Sequence, residues 1–350
     1  MDRAELRRVK QHLMSWGTGQ AVPGSPAPAS VATIVTADPA HIAGLAQSGL
    51  IGPGTVVLAP GPDTPGAVGF DGALDEPGTE ISIGDDFFLQ TQDYATSEFM
   101  SIIGPTLVRV SDAADFRHFL SDADRAYAEG VFPEFATAPA VRIADLPGLG
   151  ASPDGDGPRT RLYVNTEGDI STSPAGSVLG RVGDPLSALQ ASWDRANTES
   201  PLPCSVCLGA TVPEAERSRE LLERPWLGRY LDVLPALRTM TVNNVGGLRV
   251  SGFGGRITQG FAETGHDHDL REPSTPVVMW DDERGYVYDL ASDRVFAVEH
   301  IAASAAELIL ATGSVRDAAE YARPEALSQV ERFFTDAGAP LVSRGVLAGV

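Results

Sequence analysis

The stretch Val277-Val-Met-Trp280-Asp-Asp-Glu-Arg284-Gly-Tyr-Val-Tyr-Asp-Leu290-Ala-Ser-Asp-Arg294-Val-Phe-Ala-Val298 decides how the carboxyl-terminal part of the chain is read. Two apolar runs, 277–280 and 285–290, flank the polar turn 281–284, and a third, 294–298, follows Ser292-Asp293. β-Branched and aromatic residues between polar turns predict three successive antiparallel strands. The period then changes. Helices are predicted over 301–311, 315–322 and 325–337, punctuated by Gly313-Ser314, Arg323-Pro324 and Gly338. Their inward faces are predicted to carry Ile301, Ala305, Leu308 and Ile309 on the first helix, and Leu327, Val330, Phe334 and Ala337 on the third.

Upstream of this module, Leu6, Val9, Leu13 and Trp16 fall at helical spacing, and the Gly/Pro/Ser/Ala-rich run 17–30 predicts a linker. Strand, helix and strand are predicted over 31–36, 39–48 and 55–59, with further strands at 80–83, 87–92 and 107–110. A helix over 112–130 is expected to start at Ser111 as its cap. Turn formers crowd 148–158 and mark a boundary, and the polar stretch 263–276 marks a second. Between them lie predicted strands at 161–164 and 169–171, helices at 185–193 and 213–223, an aromatic cluster at 225–230 and a Gly-rich, β-like segment over 242–261. The fold class expected is therefore α+β and α/β multidomain. An N-terminal α/β domain spans 1–150, a small mixed middle segment 151–262, and a βββααα module 270–350.

Composition narrows the function. The chain has 350 residues with 26 Lys+Arg against 47 Asp+Glu, a net charge of −21 that opposes a phosphate backbone, so no nucleic-acid partner is expected. Lys10 is the single lysine, which removes a GxxxxGK[ST] phosphate loop and argues against Schiff-base chemistry. The two cysteines, Cys204 and Cys207, are too few and too close for a disulfide framework. No apolar run reaches the ~20 residues of a membrane span, so no membrane partner and a cytoplasmic location are expected.

The run 288–298, the apolar helix from Ile301, the turn Gly313-Ser-Val-Arg-Asp-Ala318 and the helix ending Phe333-Phe-Thr-Asp-Ala-Gly338 together resemble the PqqD-like winged-helix module. That module recognises leader peptides in pathways for ribosomally made, modified peptides. The resemblance covers roughly the last 75 residues, a size suited to a small module. It implies that a leader peptide pairs with the third strand and packs on the third helix, at Arg294, Val295, Phe296, Ala297, Val298, Leu327, Val330, Glu331 and Phe334. Simple core packing is the competing reading for each. A winged-helix DNA reader is the rival within that fold, but residues 276–350 carry twelve Asp/Glu against six Arg.

In the middle of the chain, Leu162-Tyr-Val-Asn-Thr-Glu-Gly-Asp-Ile-Ser-Thr-Ser-Pro174 and Leu179-Gly-Arg-Val-Gly183 resemble the SPASM-like auxiliary-cluster domains of some radical enzymes. The cysteines that would hold a cluster are missing. With Arg224-Pro-Trp-Leu-Gly-Arg-Tyr230 and the terminal module, the chain resembles the recognition protein of daptide-type biosynthesis. The resemblance implies a non-catalytic protein without cofactors, whose partners are a precursor peptide and peptide-modifying enzymes of the same pathway.

Two other readings stay open. Cys204 and Cys207 with His266 and His268 make a Cys₂His₂ set suited to zinc, hence a zinc-dependent enzyme. The acidic surface suits a regulator that binds another protein through the same strand edge. His266-Asp-His-Asp269 does not match an HxHxDH metal site, because Leu270 and Arg271 follow it, and it reads as a solvated linker. Gly252-Phe-Gly-Gly-Arg256 lacks GxGxxG spacing and reads as a bend.

Overall fold

The computed structural model describes residues 1–23, 30–272 and 275–342, so parts of the predicted 17–30 linker, the 263–276 boundary and the end of the 270–350 module lie outside the described residues. The fold is mixed α/β, with three sheets among the described residues. Contacts divide it into two compact units, Met1–Phe119 with Ala140–Glu223, and Leu120–Pro139 with the chain from Arg224 onward.

The first unit opens with α1 (Arg3–Thr18), capped by Asp2, whose carboxylate accepts from the Ala4 and Glu5 amides at 2.8 Å. Of its periodic residues Val9, Leu13 and Trp16 are buried and Leu6 is half-buried, and it stops at Gly19 with φ 77°. The strands and helices that follow are β1 (Thr33–Thr36), α2 (Ile42–Gln47), β2 (Val56–Pro60), β3 (Val68–Phe70), β4 (Glu80–Ile83), β5 (Phe87–Asp93) and β6 (Thr106–Arg109). Helix α3 (Ala113–Glu129) carries the chain into the second unit, where α4 (Glu134–Thr137) lies. Its cap is Asp112, which accepts from the Ala114 and Asp115 amides, and not the predicted Ser111. A carboxylate one residue nearer the helix reaches the first-turn amides.

The chain then returns through β7 (Val141–Ile143), β8 (Arg161–Val164), β9 (Asp169–Ser171), β10 (Gly180–Arg181), α5 (Leu186–Glu199) and α6 (Glu214–Glu223). One sheet has the order β10-β9-β8-β1-β2-β3, with β8, β1, β2 and β3 parallel. Ile34, Val57, Leu162 and Val164 join one core while Val35, Leu58 and Tyr163 join the other, so both faces of the central strands are covered. The register Thr33↔Arg161 to Thr36↔Val164 places the expected 150/151 boundary inside one sheet. The middle segment 151–262 is accordingly not a compact unit: it contributes as far as Glu223 to the first unit and from Arg224 to the second. The second sheet is β4-β5-β6-β7, parallel except for the β4–β5 pair.

The second unit continues with α7 (Leu227–Val242), where the sequence reading saw only an aromatic cluster. The 242–261 segment contains just a two-residue strand, β11 (Arg249–Val250), because Gly252, Gly254 and Gly255 turn the chain at φ 86°, 70° and 151°. Then come α8 (His268–Arg271), β12 (Val277–Trp280), β13 (Gly285–Asp289), β14 (Arg294–Val298), α9 (His300–Thr312), α10 (Val315–Ala318) and α11 (Pro324–Asp336). The sheet is antiparallel in the order β11-β12-β13-β14. Val278 and Val287 meet Ala303, Ala306, Leu308, Ile309, Leu327 and Phe334 in its core. Buried Arg229 on α7 donates Nη2 to the Pro276 carbonyl at 2.6 Å, which anchors the entry to β12. Ile301, predicted inward, is instead 79% exposed, and Ala303 is the buried residue of that first turn of α9. No helix among the described residues is long and apolar enough to cross a membrane.

At the crossing of sheet and helix, a Cβ on Gly285 would stand 2.3 Å from the Ala303 Cβ. Gly285→Val should therefore separate β13 from α9 and cost about 1–3 kcal/mol, read as a lower urea midpoint. In the first unit, His12 Nδ1 lies 2.8 Å from Thr33 Oγ1, and burial lowers its pKa below the ordinary 6.5. The unfolded chain then takes up the proton more readily, so this contribution to stability is present above pH 6.5 and is lost as pH falls below it. The melting temperature should drop on acidification from about pH 7 to about pH 5, and drop less in His12→Gln.

Candidate functional site

Strand β14 is the last strand of its sheet: it pairs with β13 from Gly285↔Val298 to Asp289↔Arg294 and has no partner strand on its other side among the described residues. Such an edge presents backbone N–H and C=O groups to whatever approaches. The alternation of strand side chains puts Arg294, Phe296 and Val298 on one face. Phe296 and Val298 are half-buried against the helical core, with the Phe296 ring 5.4 Å from Phe334 and 6.4 Å from Phe333. The Arg294 guanidinium lies 4.8 Å from the Phe296 ring and donates to the Ala337 carbonyl at 2.7 Å, which ties the strand to the end of α11. Val295 and Ala297 occupy the opposite face, half-buried and exposed respectively.

The residues expected on α11 divide in two. Val330 and Glu331 are half-buried, and Glu331 accepts from the Thr335 hydroxyl at 3.2 Å. Leu327 and Phe334 are fully buried and form the floor, so neither presents a surface to a ligand. Helical spacing alone cannot separate the deepest position from its rim. The rim is Phe333, 53% exposed and packed edge-on against Phe334 at 5.1 Å. Sequence reading missed it, although an aromatic beside Phe334 and one position off the inward stripe was the available signal. On another side of α9, Ile301 lines a cleft of about 540 Å³ with Trp280, His300 and Tyr321.

Helix α9, which packs on β12 and β13, carries Glu307 fully buried. Its Oε1 accepts from the Ser251 hydroxyl (2.6 Å) and the Ile257 amide (2.9 Å), and its Oε2 accepts from the Thr258 amide (2.8 Å). One carboxylate thus closes the glycine bend after β11 onto the helix. Beside it, buried Arg256 forms a forked pair with Asp269 at 2.6 and 2.9 Å. Asp269 is therefore a buried structural anchor, and the expected solvated linker at 266–269 is corrected. Tyr288 donates to Asp293 at 2.6 Å across the β13–β14 turn, and burial together with that carboxylate pushes its pKa up to about 12.

The expected Cys₂His₂ set is not assembled as four ligands. Cys204 and Cys207 are buried beside Asp156 in the first unit, and this is the group of three potential metal-binding side chains found among the described residues. His266 and His268 belong to the second unit. There His266 Nε2 lies 3.0 Å from the Tyr321 hydroxyl and its ring stacks on Phe261, while His268 packs against Gly313. The Cys207 thiol donates to Asp156 Oδ2 at 2.8 Å, and the Cys204 thiol beside it and its own burial raise its pKa. That is the reverse of an activated redox thiol.

No family model, curated protein or solved structure matches the chain.

Replacing Glu307 by Ala would leave the Ile257 and Thr258 amides without their acceptor. Glu307→Ala should cost about 3 kcal/mol in urea unfolding, more than Glu307→Gln, whose side-chain oxygen still accepts. A fragment limited to 270–350 lacks β11 and all three donors to Glu307, and should not fold stably by circular dichroism.

Proposed function

We propose that this protein is a non-catalytic recognition protein that captures the leader of a ribosomally made precursor peptide along β14. The observation that carries this reading is the outer edge of a five-residue strand, unpaired among the described residues, with an exposed aromatic, Phe333, beside it. An extended peptide there completes the backbone hydrogen bonds that β14 leaves open. Its alternate side chains reach the ledge formed by Phe296, Val330 and Phe333, and Val295 and Ala297 contact the opposite side of the added strand. Arg294 sits at the entrance, half committed to α11, and gives the ledge a positive end.

The βββααα order from Val277 to Asp336 supports the winged-helix, PqqD-like reading of this module. The narrower proposal is a role in daptide-type biosynthesis, with peptide-modifying enzymes as pathway partners and the cytoplasm as the place of action. Holding a disordered substrate close to a modifying enzyme raises its effective concentration and needs no catalytic group on the holder. The net charge of −21 favours a peptide ligand over nucleic acid.

The test is a calorimetric titration of the full chain with the precursor encoded beside it, whole and leaderless. Binding should require the leader. Phe333→Asp should weaken it at least about tenfold, the order expected for losing a buried aromatic contact, and should leave the melting temperature near that of the parent. Equal affinity for the leaderless peptide, or unchanged affinity in a folded Phe333→Asp variant, would refute the assignment.

A further inference from the structure

A second group of side chains, in the first unit, has chemistry that the peptide edge does not use. Asp156 lies in the turn before β8, and Cys204 and Cys207 frame a turn between α5 and α6. Both thiols and the Asp156 carboxylate are buried, and their donor atoms lie within 4.8 Å of one another. A tetrahedral zinc ion, with bonds of about 2.3 Å to sulfur and about 2.1 Å to oxygen, needs donors roughly 3.6–3.8 Å apart. The observed group is close to that spacing: no two donor atoms are more than 4.8 Å apart, and the Cys207 sulfur and Asp156 Oδ2, 2.8 Å apart, would open by about 0.8 Å on binding.

The surroundings fit a dication. Arg161, fully buried, donates Nε to Asp156 Oδ1 at 3.2 Å, and Nη1 to Asp145 at 2.6 Å and to the Trp16 carbonyl at 2.9 Å. This leaves Asp156 Oδ2 for the Cys207 side and fixes the carboxylate plane, as an outer-sphere partner does for a metal ligand. Asp156, Asp145, Arg161 and the two thiols in their neutral form carry a net charge of −1, which the buried Arg109 beside Asp145 brings to zero. Exchange of the two thiol protons for one Zn²⁺ leaves that charge unchanged, so binding adds no uncompensated buried charge.

We infer that Asp156, Cys204 and Cys207 form a zinc site in which two thiolates and one carboxylate bind the ion and a water completes the tetrahedron. In the binding step two S–H bonds break and their protons leave to solvent, two Zn–S bonds and one Zn–O bond to Asp156 form as the hydrated ion sheds all but one of its waters, and zinc remains divalent. The ion would pin the 204–207 turn to the segment leading into β8. It is independent of the peptide edge, and neither His266 nor His268 takes part.

Cobalt(II) titration of the full chain, reduced and freed of metal, tests this. Saturation at one ion per chain is expected, with thiolate-to-cobalt charge transfer in the near ultraviolet and the intense visible bands of a tetrahedral ion, both abolished by added zinc. Cys204→Ser should lose about half the charge-transfer intensity, since one of two thiolates is gone. The double variant His266→Ala/His268→Ala should keep all of it. Zinc should also raise the melting temperature of the unaltered chain, a readout that needs no variant to fold. Absence of a charge-transfer band at saturating cobalt would overturn the site, and loss of that band in the histidine variant would assign the metal to a different ligand set.

Discussion

Every strand inside a sheet satisfies its backbone on both sides, and the outermost one cannot. In the second unit the two ends of the sheet meet this constraint differently. β11 is only two residues long, and the glycine bend that follows takes the chain away, so little of that edge is available to another strand. β14 runs for five residues, and among them only Arg294 is charged. It carries neither the prolines nor the repeated charges that usually blunt an exposed edge. A long, weakly guarded edge next to an aromatic ledge is a liability unless something is meant to pair with it, and this asymmetry is the physical basis of the functional reading.

For an edge to recognise a partner it must be held still, because a strand ordered only on binding spends part of its interaction energy on its own ordering. Three features hold β14. Its inner side is bonded to β13 over the full length of the strand, with the Tyr288–Asp293 hydrogen bond across the connecting turn. Its helix-facing side chains rest on a floor of Leu327 and Phe334, both inaccessible to solvent. The helix beneath the sheet is itself fixed by Glu307, which binds the bend behind β11, and by the close approach of Gly285 to Ala303. The clamp lies well away from the edge in sequence, and for this reason the module extends upstream of residue 270.

The hairpin arithmetic of 277–298 was legible because its signals are local: strand-forming residues alternate and the turns are polar, and the strands fall within a residue of where that pattern puts them. Long-range pairing was not. Nothing in the composition of 161–164 says that it lies parallel to 33–36, and so the turn-rich stretch 148–158 read as a boundary when it is a connection within one unit. Helix α7 escaped notice because Pro235 lies inside it and its buried residues surround the axis instead of forming one stripe. Glu307 sits in the run Ala-Ala-Glu-Leu-Ile-Leu, where a charge flanked by buried apolar residues signals a partner, but the partners are backbone amides fifty residues away. The zinc reading from spacing chose histidines for the cysteines; the fold supplies an aspartate from a loop whose sequence reads only as a turn.

Amide hydrogen exchange of the full chain with and without the whole precursor measures the central claim at the atoms concerned. The outward-pointing amides between Arg294 and Val298 should exchange quickly in the free protein and become strongly protected on adding the precursor, with a smaller effect on α11 around Val330 and Phe333. Saturating precursor that leaves those amides as exposed as before, or protects a different surface instead, would contradict pairing at β14.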